Sequence, residues 1–502
     1  MTMRLLGIDI GTGGTRAVLL DGDGRVVSSA TAAHPPFASP HAGWAEQDPD
    51  DWWRAACSAV PECLARGETA PREISGIGLT GQMHGLVLLD RGGRVLRPSI
   101  LWCDQRTEVE CREITETVGA ARLIELTANP ALTNFTLPKI WWVQKHEPDV
   151  WARVAAILLP KDYIRLKMSG SRATDVADAS GTLLFDVANR QWSPPMMELS
   201  RLDAELLPKV FESCEVTGHV SEEGARATGL CAGTPVVAGA GDQAAGAVSM
   251  GIVRAGAVSA TIGTSGVVFA ATAAPVRDPA GRVHTFCHAV PQRWHVMGVT
   301  QAAGYSLRWF RDQFGAVGDP AQDAYAQLMT EASTVPAGAD GLMWAPYLMG
   351  ERTPHLDPNA RGALVGISAT HTRAHVVRAI LEGVAFSLRD TLTIFAELKI
   401  PVESIRLGGG GARGAVWRQI QADVYGTSVG ALEVEEGPAY GAALLAGVGV
   451  NNWTSVENAV DAAVRAFQQI EPDPRDAALM NRRYGAYRKL YPALRDVWRD
   501  AS

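Results

Sequence analysis

Short apolar runs that stop at glycines set the rhythm of this chain. Residues 5–10 read as a buried strand that breaks at Gly11-Thr12-Gly13-Gly14-Thr15-Arg16 and resumes over 17–20. Asp21-Gly22-Asp23-Gly24 then turns the chain into 25–29. Such punctuation predicts antiparallel strands folded about tight turns. Far downstream the runs 236–238 and 258–262 end the same way, in Gly239-Ala240-Gly241-Asp242-Gln243 and in Gly263-Thr264-Ser265-Gly266. Small residues after Asp242 suit the close start of a helix. Another strand, 74–80, leads through Gly81-Gln82-Met83-His84-Gly85 to a strand over 86–90, and 404–407 leads through glycines 408–411 to a helix over 416–425. Helical spacing also marks 50–66, 107–126 and 371–397, and the tail 459–502 reads as one or two helices. Strands and helices alternate in both halves, which predicts two α/β domains facing one another, 1–247 and 248–502, with the boundary near 247–256.

The halves also resemble each other. Ile10-Gly-Thr-Gly-Gly14 and Ile262-Gly-Thr-Ser-Gly266 agree at four of five positions and lie 252 residues apart in a chain of 502. Placement at half the chain length points to an internal duplication.

Composition narrows the class. A 47% hydrophobic, 20% charged chain of net charge −8 is ordinary globular protein, with no general attraction for nucleic acid or anionic membranes. Its seven cysteines form no CxxC pair, as expected for reduced thiols in a cytoplasmic protein. The uncharged span 255–276 is long enough for a membrane helix, but GTSG interrupts it, so two strands of a hairpin are expected instead. The first residues have too short an apolar run for a signal peptide.

Several groups could carry chemistry. Asp242 is a lone carboxylate on a glycine turn, and either a general base or a helix cap fits it. The turn 263–266 offers backbone N–H groups and hydroxyls without charge, as an anion-binding nest requires. Around Gly11-Thr12-Gly13 the backbone can wrap phosphate oxygens, with Thr15 and Arg16 adding donors, and Asp9 at the strand end can hold Mg²⁺ through water. No Gly-Lys pair exists for a Walker A loop, and Gly239, Gly241 and Gly246 miss the dinucleotide spacing. Four glycines at 408–411 would let a flat ring such as adenine lie on bare backbone. Gln82, Met83 and His84 could grip sugar hydroxyls and one carbon face, and Trp102, Asp104 and Arg106 add an aromatic face with an acid and a base. An Asp–Arg pair is also a common structural bridge. Two HxxxH pairs, His284/His288 and His371/His375, lack the glutamate of a zinc helix, and zinc is not expected. Trp141, Trp142 and Trp344 read as core or interface aromatics.

IDIGTGGTR, GQMHG, LWCDQR, LLPKDYIRLKMSG, TDVADASGT, AGAGDQAAGAV, TIGTSG, FCHAVPQRWH, PYLMGERTPH and LGGGGARGAVWRQIQAD follow one another here in the order found in FGGY-family carbohydrate kinases. The chain resembles that family throughout, and within it the members acting on xylulose. The resemblance implies an α/β fold of two actin-like (ribonuclease H-like) ATPase domains with a closing cleft, and transfer of the ATP γ-phosphoryl group to the 5-hydroxyl of D-xylulose with Mg²⁺. It implies Asp242 as general base with Gln243 beside it, and Met83 and His84 as the substrate-binding pair. Asp9 is the implied metal-associated acid, Thr12 and Gly13 the first phosphate loop, and Gly263 and Thr264 the second. Gly410 and Gly411 are implied at adenosine, with Gly304 and Arg308 touching the nucleotide. A homodimer is implied by resemblance alone.

Two positions depart from the pattern. Xylulose-phosphorylating members often have Asn where this chain has Gln243, a Gln that glycerol-phosphorylating members share, and Asn where it has Cys103. Met83-His84 in turn differs from the Arg-Glu of glycerol-phosphorylating members. Alternatives are therefore a kinase of ribulose, of a ribitol or erythritol type polyol, or of glycerol. Outside the class stand a non-kinase actin-like ATPase and a sugar-sensing regulator.

Overall fold

A computed structural model describes residues 3–315, 323–432, 437–464 and 467–500. Two mixed sheets organise it. The first contains β1 (Arg4–Ile10), β2 (Gly14–Asp21), β3 (Val26–Ala33), β4 (Ile74–Gly81), β5 (Val216–His219) and β6 (Pro235–Val237) in the order β5-β6-β4-β1-β2-β3, with β7 (Ala240–Gly241) also paired to β4. The second contains β8 (Ala257–Ile262), β9 (Gly266–Thr272), β10 (His284–Cys287), β11 (Trp294–Thr300), β12 (Ser404–Gly409), β13 (Val429–Leu432) and β14 (Phe467–Ile470) in the order β10-β11-β9-β8-β12-β13-β14.

The duplication expected from the glycine turns is present in the topology. β1 pairs antiparallel with β2 and parallel with β4, and β8 pairs antiparallel with β9 and parallel with β12. Register agrees to the residue: Ile10 lies opposite Gly81, and Ile262 opposite Gly409. Residues 255–276 form the β8–β9 hairpin, and no helix among the described residues is long and apolar enough to cross a membrane.

Alternation along β1 explains which face does what. Leu6, Ile8 and Ile10 point to α1 (Pro49–Arg66), where Trp52 is fully buried. Leu5 faces the opposite way, toward the helix Gly437–Gly449, and period-two alternation puts Gly7 and Asp9 on that same side. This second face is where the chemistry gathers.

Two expectations need correction. The stretch 107–126 is two helices, Glu108–Val118 and Ala120–Thr127, because Gly119 between them adopts φ 86°. The tail contains a strand as well as helices: after Val456–Ala463, β14 pairs with β13, and Pro474–Tyr487 and Leu490–Asp500 follow. Phe-Gln-Gln-Ile is too short and too polar to announce itself, and its identity comes from the partner strand. The segment 437–464 returns to the first sheet, where Ala439, Ala443, Leu444, Ala459 and Val460 share a core with Leu5, Val18 and Leu20.

That return requires bare backbone. A Cβ on Gly7 would lie 1.8 Å from the Ala439 carbonyl oxygen, one on Gly78 1.9 Å from that of Ala442, and one on Gly441 1.9 Å from that of Ala245. Gly441→Ala should therefore destabilise the protein by about 2 kcal/mol or more, read as a lower denaturant midpoint, whereas Gly485→Ala, which meets nothing within 4 Å, should not.

Candidate active site

Asp9, Gln82 and Asp242 are brought together by strand register. β1 and β7 flank β4 on either side, with Asp9 and Ala240 both opposite Thr80. Asp242 follows β7 directly and opens α2 (Asp242–Ser249), whose N-cap is Gly241. The cap reading of Asp242 thus fails on position: its side chain is one residue past the cap. Gly239, at φ 71°, bends the strand so tightly that a Cβ would lie 1.8 Å from the Leu79 oxygen. Beneath this bend the buried Arg165 donates to the carbonyl oxygens of Val237 (2.7 Å) and Ala238. Lys161 alongside it is ringed by Asp162, Asp175 and Asp178 at 2.6, 2.7 and 3.2 Å.

The two carboxylates have unusual protonation. Burial pushes Asp242 up to about 7, and the charge of Asp9 adds to the rise. Burial lifts Asp9 to about 6 against the opposing charge of Arg16. Asp9 Oδ1 is buried with no hydrogen-bond partner among the described residues. An acid in that condition fits a hydrated divalent cation.

The sugar-type side chains surround this pair. Gln82, Met83 and His84 are all buried, and a Cβ on Gly241 would lie 2.7 Å from Met83 Cγ, which places the thioether against the start of α2. His84 Nδ1 lies 2.7 Å from the Gly181 oxygen. A carbonyl only accepts, so Nδ1 carries the proton. Burial and the nearby Lys139 hold the ring neutral, which leaves Nε2 as an acceptor. Lys139 Nζ donates to the His84 carbonyl oxygen at 2.9 Å and Thr136 Oγ1 to the same oxygen at 3.2 Å, holding His84 at φ 68°.

Thr12 belongs to this end through its hydroxyl. It donates to Gln82 Oε1 at 3.1 Å and accepts from Trp102 Nε1 at 3.0 Å, and the Thr12 carbonyl accepts from Gln47 Nε2 at 2.8 Å. The indole of Trp102 stays exposed. Asp104 does not join it. It has no exposed surface; Oδ2 accepts from the Ala45 amide and Arg106 Nη2 (2.6 and 2.7 Å), and Oδ1 from the Arg106 amide and Nε (3.0 and 2.9 Å). With both oxygens occupied, Asp104 supports the loop instead of meeting a sugar. Of the remaining candidates, Gly11 donates to Gly14 in the turn, and Gln243 is partly exposed beside Asp242.

In the second half, all six expected nucleotide positions line one cavity of about 440 Å³: Gly263, Thr264, Gly304, Arg308, Gly410 and Gly411. Gly304 donates to the Gly263 oxygen at 2.9 Å and Tyr305 to that of Thr264 at 3.1 Å, so the helix Ala303–Phe314 is docked on the second loop. A volume of this size suits a nucleoside. Tyr325, Met329, Arg413 and Trp417 complete the wall. Arg413 and Trp417 lie in the run that follows the four glycines, whereas Tyr325 and Met329, on the helix Ala324–Ser333, are marked by no motif and meet them only in the fold. His284 and His288 are buried neutral, held near 3 and 4 by burial, on a strand and the turn after it.

Duplicated ribonuclease H-like sheets, with a carboxylate pair at one strand end and a glycine-lined nucleoside cavity at the other, define a phosphoryl transferase of the actin-like ATPase class. The chain belongs to the FGGY family of carbohydrate kinases: the N-terminal domain model matches residues 4–249 and the C-terminal domain model residues 258–450. It is 38% identical to the xylulose kinase of Bacillus subtilis, covering 98% of this chain and 97% of the relative. It is 40% identical to that of Escherichia coli, with 97% and 99% covered. A xylulose kinase structure from Rhodospirillum rubrum superposes with a TM-score of 0.90 at 33% identity over 99% of this chain and 100% of that one.

Because Asp104 is paired inside the protein, Asp104→Asn should lower unfolding stability by about 2–3 kcal/mol. The sugar KM of the folded enzyme should stay within about twofold, since no substrate contact is lost. Calorimetry and steady-state kinetics on the one variant separate these effects.

Proposed function

We propose that the protein transfers the γ-phosphoryl group of ATP to the 5-hydroxyl of D-xylulose, giving ADP and D-xylulose 5-phosphate. The observation that carries this reading is Asp242 with its pKa raised to about 7, beside Met83 and next to the acid Asp9. A base poised near neutrality can take the hydroxyl proton as the sugar oxygen attacks phosphorus and ADP leaves. His84 Nε2 accepts a sugar hydroxyl, and Met83 covers a carbon face. The loops at 11–13 and 263–264 face the phosphates, and the cavity lined by Gly410 and Gly411 takes adenosine. Mg²⁺, held by Asp9, supplies charge neutralisation on the phosphates when bound. Rate in this arrangement comes mostly from positioning and fixed charge. The xylulose kinases it resembles support the choice of sugar, while Gln243 and Cys103 favour one second reading, another ketose or polyol in the same cleft. All seven cysteines are free thiols, which fits a cytoplasmic enzyme.

ATP consumption with Mg²⁺ should rise strongly with D-xylulose and weakly with ribulose or glycerol. A rise confined to another polyol would replace the sugar and keep the site. Asp242→Asn should cut turnover by about 10²–10⁴-fold with ATP binding retained, and an active variant would remove Asp242 from the mechanism. The base works deprotonated, so a raised pKa places its loss on the acid side. For the wild type, kcat/KM should be level above pH 7 and fall about tenfold per unit below it.

A further inference from the structure

The segment around Arg352 comes from the second half of the chain and lies against the end of β11. Its two neighbours are pinned. The buried carboxylate of Glu351 accepts from Thr300 Oγ1 (2.5 Å), the Gln301 amide (3.0 Å) and the Arg352 amide (2.8 Å). Thr300 is the last residue of β11 and pairs with Gly266, at the end of the second phosphate loop. On the other side, Thr353 Oγ1 donates to the Arg282 oxygen at 2.7 Å and accepts from the Val299 amide at 3.1 Å. Arg352 is therefore held at the cleft edge of the second sheet with little freedom in its backbone.

Its side chain is not similarly engaged. The guanidinium is half-buried yet makes no hydrogen bond or ion pair among the described residues, and its adjacent carboxylate, Glu351, is already used by other donors. Its nitrogens are not among the buried unpaired atoms, so they keep access to water and are open to a ligand. Thr353, next to it, is bonded to the carbonyl of Arg282, two residues before His284, and the Arg352 charge opposes protonation of both His84 and His284, so it lies within electrostatic reach of the two rings. Those two rings belong to one aromatic cluster that crosses between the domains. Phe135 lies 5.1 Å from His84 and 5.6 Å from His284, and Phe286 lies 6.1 Å from His84, centroid to centroid.

The chemistry on the His84 side leaves a gap. His84 Nε2 and the ionised Asp242 accept hydrogen bonds, and Met83 is apolar. A ketose carbonyl oxygen only accepts, and each sugar hydroxyl that donates to His84 or Asp242 still has lone pairs to satisfy. Five N–H donors on a guanidinium supply what those groups do not. We propose that Arg352 is a sugar-binding residue contributed by the second domain, donating to carbonyl and hydroxyl oxygens of the substrate across the cleft from His84. The sugar then bridges the domains, and its binding and the domain arrangement become linked. The identity of the sugar rests on the function proposed above; the contact itself does not.

The test uses the full-length enzyme and the variants Arg352→Lys and Arg352→Met, with whichever sugar the wild type turns over best. Arg352→Met should raise the sugar KM, and the sugar Kd measured by tryptophan fluorescence without nucleotide, by about ten- to a hundredfold. The ATP KM should stay within about twofold, the melting temperature should not fall, and Arg352→Lys should recover part of the loss. An unchanged sugar Kd overturns the proposal, as does a defect confined to ATP, which would put Arg352 on the phosphates. A lower melting temperature with normal sugar binding would make it a packing residue. A wild type that prefers another sugar over D-xylulose would overturn the substrate assignment, and Arg352 would still be judged by these ratios.

Discussion

Contact between bare backbones, at the helix Gly437–Gly449, is the constraint on which the rest of this structure depends. Gly7 on β1, Gly78 on β4 and Gly441 on the helix each leave no room for a Cβ against the carbonyl of the facing element. β1 ends at Asp9, β4 ends at Gly81 before Gln82, and the helix seated on Gly441 is α2, which begins at Asp242. The separation of base, metal-type acid and sugar turn is thus set by three contacts at the limit of close packing. A side chain added at any of them would move a carboxylate as well as cost stability. Alanine and glycine make up most of that helix for this reason, and its apolarity on every side follows from burial between a sheet and another helix.

Upon that frame the duplicated halves carry opposite chemistry at equivalent places. Asp9 in the first half corresponds by register to Thr261 in the second, and Gly81-Gln82 to Gly409-Gly410. One strand end therefore concentrates negative charge and the other presents uncharged backbone. The charge of Asp9 adds to burial in raising Asp242 to about 7. A glycine surface offers a flat purine contact area and N–H groups without competing charge. The carboxylate pair belongs to the first half and the glycine-lined cavity to the second.

Much of this was legible from the chain. Strand-then-glycine units at 5–16, 74–85, 236–243, 258–266 and 404–412 gave the sheets, the duplication and the cleft-edge positions, because a glycine turn leaves a local signature. The features that escaped depend on distant partners. Asp104 reads like a sugar ligand until Arg106 and the Ala45 amide are seen to occupy it. Phe467–Ile470 is a strand only because Val429–Leu432 lies beside it. The return of 437–464 to the first sheet cannot be read from its own composition, which marks it as buried without saying where. Arg352 sits in a run, Gly350-Glu351-Arg352-Thr353-Pro354, whose importance lies in an anchor on Thr300.

The same contacts limit how the cleft can move. At the sugar end the Asn129 side chain exchanges hydrogen bonds with the Thr285 backbone (2.8 and 3.1 Å), and Ser180 Oγ accepts from the Cys287 amide at 3.0 Å, tying β10 to the first domain. Across the molecule α2 and the helix Gly437–Gly449 meet through Gly441. Breaking either set of contacts would strand buried polar groups or open packed backbone. The wall of the nucleoside cavity, on Ala303–Phe314 and Ala324–Ser333, lies outside both ties, whereas His84, Phe286 and His284 sit close to one of them. Gln82, Met83 and His84 therefore lie at the more tightly tied end, where hydrogen-bond geometry is fixed by the fold, and the cavity lined by Gly410 and Gly411 lies at the other.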